Sequence, residues 1–306
     1  MEDYPNTVLE FEQKFATEQD CQAYLFRLRW PDGFRCPGCG HNKAWLTGRG
    51  ILRCRHRDYQ SSVTAGTIFH GSRKPLRLWF RAIWHVTTQK HGVSALGLQR
   101  VLGLGSYQTA WTWLHRLRRA MVRPGRERLS GIVEADETYV GGERPGKRGR
   151  GAAGKTLVVV FAEDTGTGIG RIRLHRVKNA SADSLTAAVE SCVETGSEVG
   201  TDDWDGYLRL EARGYRRTIA RKTAEVGENL LPLANRVAAL LKRWLLGTHQ
   251  GAVQPSHLDY YLDEFTFRFN RRTSRSRGKL FYRLVQQAAA VEPISNKDIL
   301  AGRYDR

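Results

Sequence analysis

Three acidic side chains, Glu134, Asp136 and Glu137, stand together in Gly131-Ile-Val-Glu-Ala-Asp-Glu-Thr-Tyr-Val-Gly-Gly142. Ile132, Val133, Tyr139 and Val140 give the stretch strand character, and the paired glycines end it. Side chains alternate across a strand, so Glu134 and Asp136 share one face and Glu137 points to the other. A carboxylate on a buried strand is costly without a partner. Alone, the segment fits an edge strand with its acids in water. A second acidic segment shifts the balance: Val199 leads into Thr201-Asp202-Asp203, which puts Asp202 66 residues after Asp136. Open α/β sheets place ligand chemistry at the carboxyl ends of strands. Paired carboxylates there suit a hard divalent cation such as Mg²⁺ or Mn²⁺.

The elements between must position this pair. Lys155–Asp164 and Gly168–Val177 read as strands joined by a Thr-Gly turn, an antiparallel hairpin. Ser181–Glu194 reads as a helix with Ser181 as N-cap and Leu185, Ala188, Val189 and Cys192 on one face. Strand, strand, strand, helix, strand is the order of the ribonuclease-H-like fold, in which the first and fourth strands are neighbours and Asp136 would face Asp202. Leu230–Leu246 is a further apolar helix. Asn235 and Lys242, seven residues apart, share one of its faces after about 700° of turn. Such a pair is often a helix's solvated edge; here Asn235 follows Asp202 by 33 residues, which favours a place in the site. Glu225 and Glu228, just upstream, are possible substitutes for Asn235.

Composition narrows the partners. The 306 residues carry 49 Lys and Arg against 31 Asp and Glu, a net charge of +18 spread along the chain, which favours a polyanion, with nucleic acid leading. No apolar run reaches the ~18 residues of a membrane span, and Met1-Glu-Asp-Tyr-Pro is no signal peptide. Five Cys, two of them in Cys36-Pro-Gly-Cys39, fit a reducing compartment and a metal knuckle. Cys54 begins the second knuckle and His56 is the nearest fourth donor, with His41 weaker; a ribbon that folds without metal is the alternative. Leu76–Thr88 is a helix with a Trp79, Phe80, Ile83, Trp84 stripe. Val93–Leu102, a Gly103-Leu-Gly105 turn and Ser106–Met121 make a helix-turn-helix. Ala110, Trp113, Leu114, Leu117 and Met121 form its buried face, and Gln108, Thr109, Thr112, Arg116 and Arg119 lie elsewhere on its surface. An ordinary αα-hairpin is the plainer reading.

Two Pro/Gly-containing basic stretches interrupt the chain, Arg123–Arg128 and Glu143–Gly154. The second, with Lys147, Arg148 and Arg150, suits DNA phosphates. Gly149-x4-Gly154-Lys155-Thr156 matches the Walker A spacing, but a strand rather than a helix follows, which excludes nucleotide binding. Pro255–Phe269 is a helix with Leu258, Tyr261, Leu262, Phe265 and Phe269 inward and a surface Glu264–Arg268 pair. Arg271 and Arg272 add a basic cluster, Leu280–Ala290 packs a last helix, and 296–306 reads as disordered.

These residues together resemble the DDE-type transposases of bacterial insertion sequences, in the branch with an N-terminal zinc ribbon. The resemblance covers nearly the whole chain. It rests on Trp30-Pro-Asp-Gly-Phe, Cys36-Pro-Gly-Cys39, Ser62-Val-Thr-Ala-Gly-Thr-Ile-Phe69, Val133–Gly142, Thr201-Asp202, Leu241-Lys-Arg243, Gly247-Thr-His249 and Tyr261-Leu-Asp-Glu-Phe-Thr-Phe-Arg-Phe-Asn270. It implies catalytic Asp136, Asp202 and Asn235, the last in place of the usual Glu, with Lys242 as the basic residue seven further on. The three would hold Mg²⁺. A structural Zn²⁺ would sit on Cys36, Cys39, Cys54 and His56, since the family's fourth Cys falls on Arg57. DNA contacts would come from Arg116, Arg119, Lys147, Arg148, Arg150, Arg243, Arg271 and Arg272. The expected organisation is α+β and multidomain: a ribbon module over 1–70, a helix-turn-helix over 71–125, a ribonuclease-H-like α/β catalytic domain over 126–290 and a tail over 291–306. The expected activity is Mg-dependent cleavage and transfer of element ends by a dimer or larger assembly in the bacterial cytoplasm, at the nucleoid. A transposase-derived DNA-binding repressor is the alternative.

Overall fold

The computed structural model describes residues 2–48, 50–123, 125–141, 155–220 and 230–303. The chain forms two compact units, Met1–Pro124 with Ser274–Ala301, and Gly125–Thr273 with Gly302–Arg306.

The first unit opens with α1 (Val8–Lys14) and α2 (Glu18–Arg29), started by Thr7 and Thr17. Thr17 and Asp20 complete a reciprocal capping box. Three short strands, β1 (Ala44–Leu46), β2 (Leu52–Cys54) and β3 (Gln60–Ser61), make the small antiparallel sheet of the ribbon. α3 (Leu76–Thr88) covers the expected range, and the Glu18 carboxylate accepts the Leu76 and Arg77 N–H groups at its start. α4 (Ala95–Leu102) ends at Gly103, whose φ of 60° is the left-handed turn that glycine makes at least cost. Ser106 then caps α5 (Tyr107–Ala120).

The second unit holds β4 (Ile132–Val140), β5 (Thr156–Asp164), β6 (Ile169–Val177), α6 (Ala182–Cys192), β7 (Glu198–Thr201), β8 (Arg216–Ile219), α7 (Pro232–His249) and α8 (Leu258–Phe269). The sheet order is β6-β5-β4-β7-β8. β4, β5 and β6 are antiparallel, while β7 lies parallel to both β4 and β8. Strand alternation sends Val133 and Ala135 of β4 into one core with Val159, Phe161 and the Leu185, Ala188, Val189 stripe of α6. On the other face Val158, Val160, Ile172 and Leu174 meet Ala234, Val237 and Leu241 of α7 and the apolar side of α8. This is the ribonuclease-H-like arrangement, with the first and fourth strands of the sheet side by side.

The structure departs from expectation in five places. β8 went unforeseen. The chain after 273 does not stay with the catalytic unit as the 126–290 boundary had it: α9 (Arg277–Ala290) and α10 (Asn296–Leu300) belong to the first unit, and α10 replaces expected disorder. There Phe281 is ringed by Phe11, Phe15, Tyr24, Phe80 and Trp84. Gly278 lies so close to Pro5 that a Cβ would fall 1.6 Å from the Pro5 carbonyl oxygen. In α5, Thr112 is buried and its hydroxyl donates to Gln108 O, because one helical turn suffices to satisfy it. α8 is buried on its polar side too: Glu264 is 1% exposed, so its 2.8 Å pair with Arg268 is internal rather than on the surface. Thr156 opens β5, which bears out the rejection of the Walker A match.

Candidate active site

β4 and β7 bring the two acidic segments together. Their parallel register pairs Ile132 with Glu198, Val133 with Val199 and Glu134 with Gly200, each 66 apart in sequence. The same offset separates Asp136 from Asp202, which lies one residue past the end of β7, just beyond the paired stretch. Asp136 Oδ1 accepts the Glu137 N–H at 2.8 Å. Burial foremost, and then the charge of Asp202, push the Asp136 carboxyl above the ordinary carboxylate range, while Lys242 pulls it back. Two neighbouring carboxylates that offer oxygen donors only form a set that fits a hard divalent cation.

Glu134 shares the face of Asp136 but does something sequence reasoning missed. α7 begins at Leu231 and Pro232 without a side-chain cap of its own. Glu134 Oε2 accepts the Leu233 and Ala234 N–H groups at 2.8 Å each, so β4 caps the helix from across the sheet. Burial still raises the Glu134 carboxyl above its usual range. The residue after this clamp is Asn235. It is exposed and falls on one stripe with Ala239 and Lys242, and Arg236 and Arg243 run beside it. On the opposite sheet face Glu137 neighbours the fully buried Tyr207, whose hydroxyl is held far above its usual range by burial and by the Glu137 charge. No sequence signal marked Tyr207. Among the described residues no third carboxylate or histidine joins Asp136 and Asp202 in a tight cluster. Glu225 and Glu228 lie outside the described residues.

In the ribbon, Cys36, Cys39 and Cys54 have Sγ atoms within 4.8 Å of one another, and those of Cys39 and Cys54 are 3.6 Å apart. The knuckle is closed by the Gly40 N–H donating to Cys36 O at 2.8 Å, with Gly40 at φ 72°. Backbone N–H groups of Arg57 and His56 lower the Cys54 thiol. Three converging thiols fit a structural zinc ion. The imidazoles of His56 and His41 do not join the cluster; their rings lie 5.6 Å from one another, and His56 instead offers its backbone N–H to Cys54 Sγ at 3.4 Å.

The predicted DNA-contact residues fall in different settings. Arg116 is half-buried, its guanidinium donating to Asn296 Oδ1 at 3.0 Å. Arg119 is half-buried and Arg243 is exposed on α7. Arg271 and Arg272 lie over the Phe267 and Phe269 rings at 4.1 Å each. Arg272 also donates to Gly170 O at 3.2 Å, fastening it to the start of β6. Lys147, Arg148 and Arg150 lie outside the described residues.

A five-stranded sheet of this order, with β4 and β7 parallel neighbours, defines a ribonuclease-H-like core. Residues 128–270 match the family model of the ISXO2-like transposase domain, and residues 16–60 match that of the transposase zinc-ribbon domain. The two matches together take in more than half of the chain, so it is similar to an ISXO2-like transposase domain preceded by a transposase zinc ribbon. A relative from Halobacterium salinarum, an uncharacterized protein in transposable element ISH50, is 28% identical over 297 residues, spanning 90% of this chain and 98% of its own. Among solved structures, the catalytic core domain of BIV integrase is 16% identical over 44% of this chain and 81% of its own, with a TM-score of 0.30. A pre-cleavage Mos1 transpososome is 11% identical over 74% and 79%, with a TM-score of 0.31. The fold assignment rests on the strand order and not on these scores. Among the described residues no helix is long and apolar enough to cross a membrane.

Proposed function

We propose that this chain binds the terminal inverted repeats of its insertion sequence and catalyses Mg-dependent strand cleavage and strand transfer at them. One observation supports the reading: the parallel pairing of β4 with β7 leaves Asp136 with both Asp202 and Lys242 in electrostatic reach. Asp136, Asp202 and the amide oxygen of Asn235 would hold the cation. When bound, Mg²⁺ supplies a Lewis acid to the attacking and leaving oxygens. Lys242 holds a phosphate as a point charge beside the scissile bond. Water hydrolyses a phosphodiester at the element end to leave a 3′ hydroxyl and a 5′ phosphate, and that 3′ hydroxyl then attacks a target phosphodiester in line and displaces the target strand's own 3′ oxygen, with no covalent protein–DNA link. Joining two ends calls for two or more copies of the chain. Arg243, Arg271, Arg272 and the basic stretch containing Lys147, Arg148 and Arg150 follow the DNA backbone, while Arg116 and Arg119 of α5 serve the helix-turn-helix. Zinc on Cys36, Cys39 and Cys54 keeps the ribbon folded as part of the end-binding surface, and the work takes place at the bacterial nucleoid.

The test is strand transfer with the purified chain, Mg²⁺ or Mn²⁺ and a duplex bearing the element's own end. Joined product is expected, lost in Asp136→Ala with end binding intact. Transfer retained in Asp136→Ala would sink the site assignment. Specific end binding without cleavage in either metal would move the chain to the class of DNA-binding repressors derived from transposases.

A further inference from the structure

Asp202 lies just beyond Thr201, the last paired residue of β7, which sits opposite Ile219 of β8. Strand pairing therefore stops short of it, and its place beside Asp136 needs another restraint. Arg217 of β8 supplies one. Its Nε donates to Thr201 Oγ1 at 3.0 Å, and its Nη2 donates to the carbonyl oxygens of Asp202 and Trp204 at 2.9 and 3.2 Å. The Thr201 hydroxyl donates to the same Asp202 carbonyl at 2.7 Å. Trp204 closes the turn from its far end: its backbone N–H donates to Asp202 Oδ1 at 3.2 Å and its indole N–H to Ala180 O at 2.9 Å. One half-buried guanidinium thus ties the Thr201 hydroxyl to the backbone carbonyls of Asp202 and Trp204. A planar fork of fixed donors can do this, and a single ammonium cannot reproduce it.

We infer that Arg217 is a positioning residue for the active site, locking the turn after β7 so that the Asp202 carboxylate stands preorganised beside Asp136 for a divalent cation. The inference rests on the metal-dependent chemistry proposed above and adds to it a residue from the strand at the sheet's edge. Residues that orient metal ligands are worth about 10–100-fold in metal affinity or activity.

The first readout needs no DNA: Mn²⁺ binding to the full chain, followed by loss of the free-ion electron paramagnetic resonance signal. Asp136→Ala is expected to remove the binding. Arg217→Ala and Arg217→Lys are each expected to weaken it about tenfold, while Arg216→Ala, the exposed neighbour, leaves it unchanged. In strand transfer the same Arg217 variants should need about tenfold more Mg²⁺ for half-maximal rate, recover at saturating metal and keep wild-type end binding. If Arg217→Ala does not fold, Arg217→Lys decides alone. Wild-type Mn²⁺ affinity in the folded Arg217 variants overturns the inference, as does a rate lowered equally at every Mg²⁺ concentration. Mn²⁺ binding indifferent to Asp136→Ala also overturns it. A wild-type chain that binds Mn²⁺ through Asp136 but transfers no strand would count against the proposed function alone, with the Arg217 effect on binding still deciding this point.

Discussion

Under the proposed function, the ribbon and the acidic site are each one donor short of the set that the resemblance implies, and they are short in different ways. At the acidic site the replacement is Asn235, which keeps a side-chain oxygen and loses only the charge. It stands on a helix whose start is tied to β4 by Glu134. In the ribbon the replacement is Arg57, which has no electron pair to give, and neither neighbouring histidine swings in to compensate. The acidic site is assembled from strands far apart in sequence. The ribbon is assembled by local turns within about twenty residues. A donor lost from a local knuckle has few substitutes within reach, whereas a site at a sheet crossing can draw on several elements. The acidic site should therefore be weakened by its substitution and the ribbon left open at one position.

The sharpest way to break this contrast is to strip the ribbon. Cys39→Ala, or prolonged chelation, should release bound zinc and abolish end binding, read by metal analysis and gel shift; end binding that persists with no zinc would show a ribbon that folds on its own contacts. Next in size is Asn235→Ala, expected to lower strand transfer about tenfold, with Asn235→Glu lowering the Mg²⁺ requirement. The corresponding gain in the ribbon is Arg57→Cys, expected to slow zinc release to a chelator. A smaller effect is expected from Glu134→Ala: about 1 kcal/mol of stability lost with the α7 cap, seen as an earlier denaturant midpoint. Smallest is a pH effect at Asp136. Its carboxyl binds a proton more tightly folded than unfolded, so its contribution to stability is present at low pH and is lost as pH rises through its raised folded value. Without metal, Asp136→Asn should melt above wild type at pH 7–8, and the two should converge below the ordinary carboxyl range.

The strands of the catalytic sheet were legible wherever apolar residues ran long enough to show a period, as in β4, β5 and β6. The decisive geometry was legible as arithmetic: the spacing of Asp136 and Asp202 equals the register offset of β4 and β7. β8 was not legible, since Arg216–Ile219 is four residues with three of them exposed. Arg217, which grips the Asp202 turn, was hidden with it. The Glu134 clamp joins residues about a hundred positions apart, and only the packed fold reveals that α7 lacks its own cap. His56 was one residue from the fourth-ligand position in sequence, yet the turn after Cys54 presents its backbone to the sulfur instead. α9 looked like the last helix of the catalytic domain because it follows it; its aromatic Phe281 belongs to a cluster built from Phe11, Phe15 and Phe80.

That last contact sets a timetable. Domains emerging from a ribosome usually fold in the order in which they are made. Here the unit that begins the chain cannot close until Gly278 and Phe281 have been translated, after the whole of residues 125–273. The unit that begins the chain is thus synthesised first and finished last. A nascent chain stalled or cleaved before residue 274 carries an open aromatic core, whatever the state of the sheet that carries Asp136.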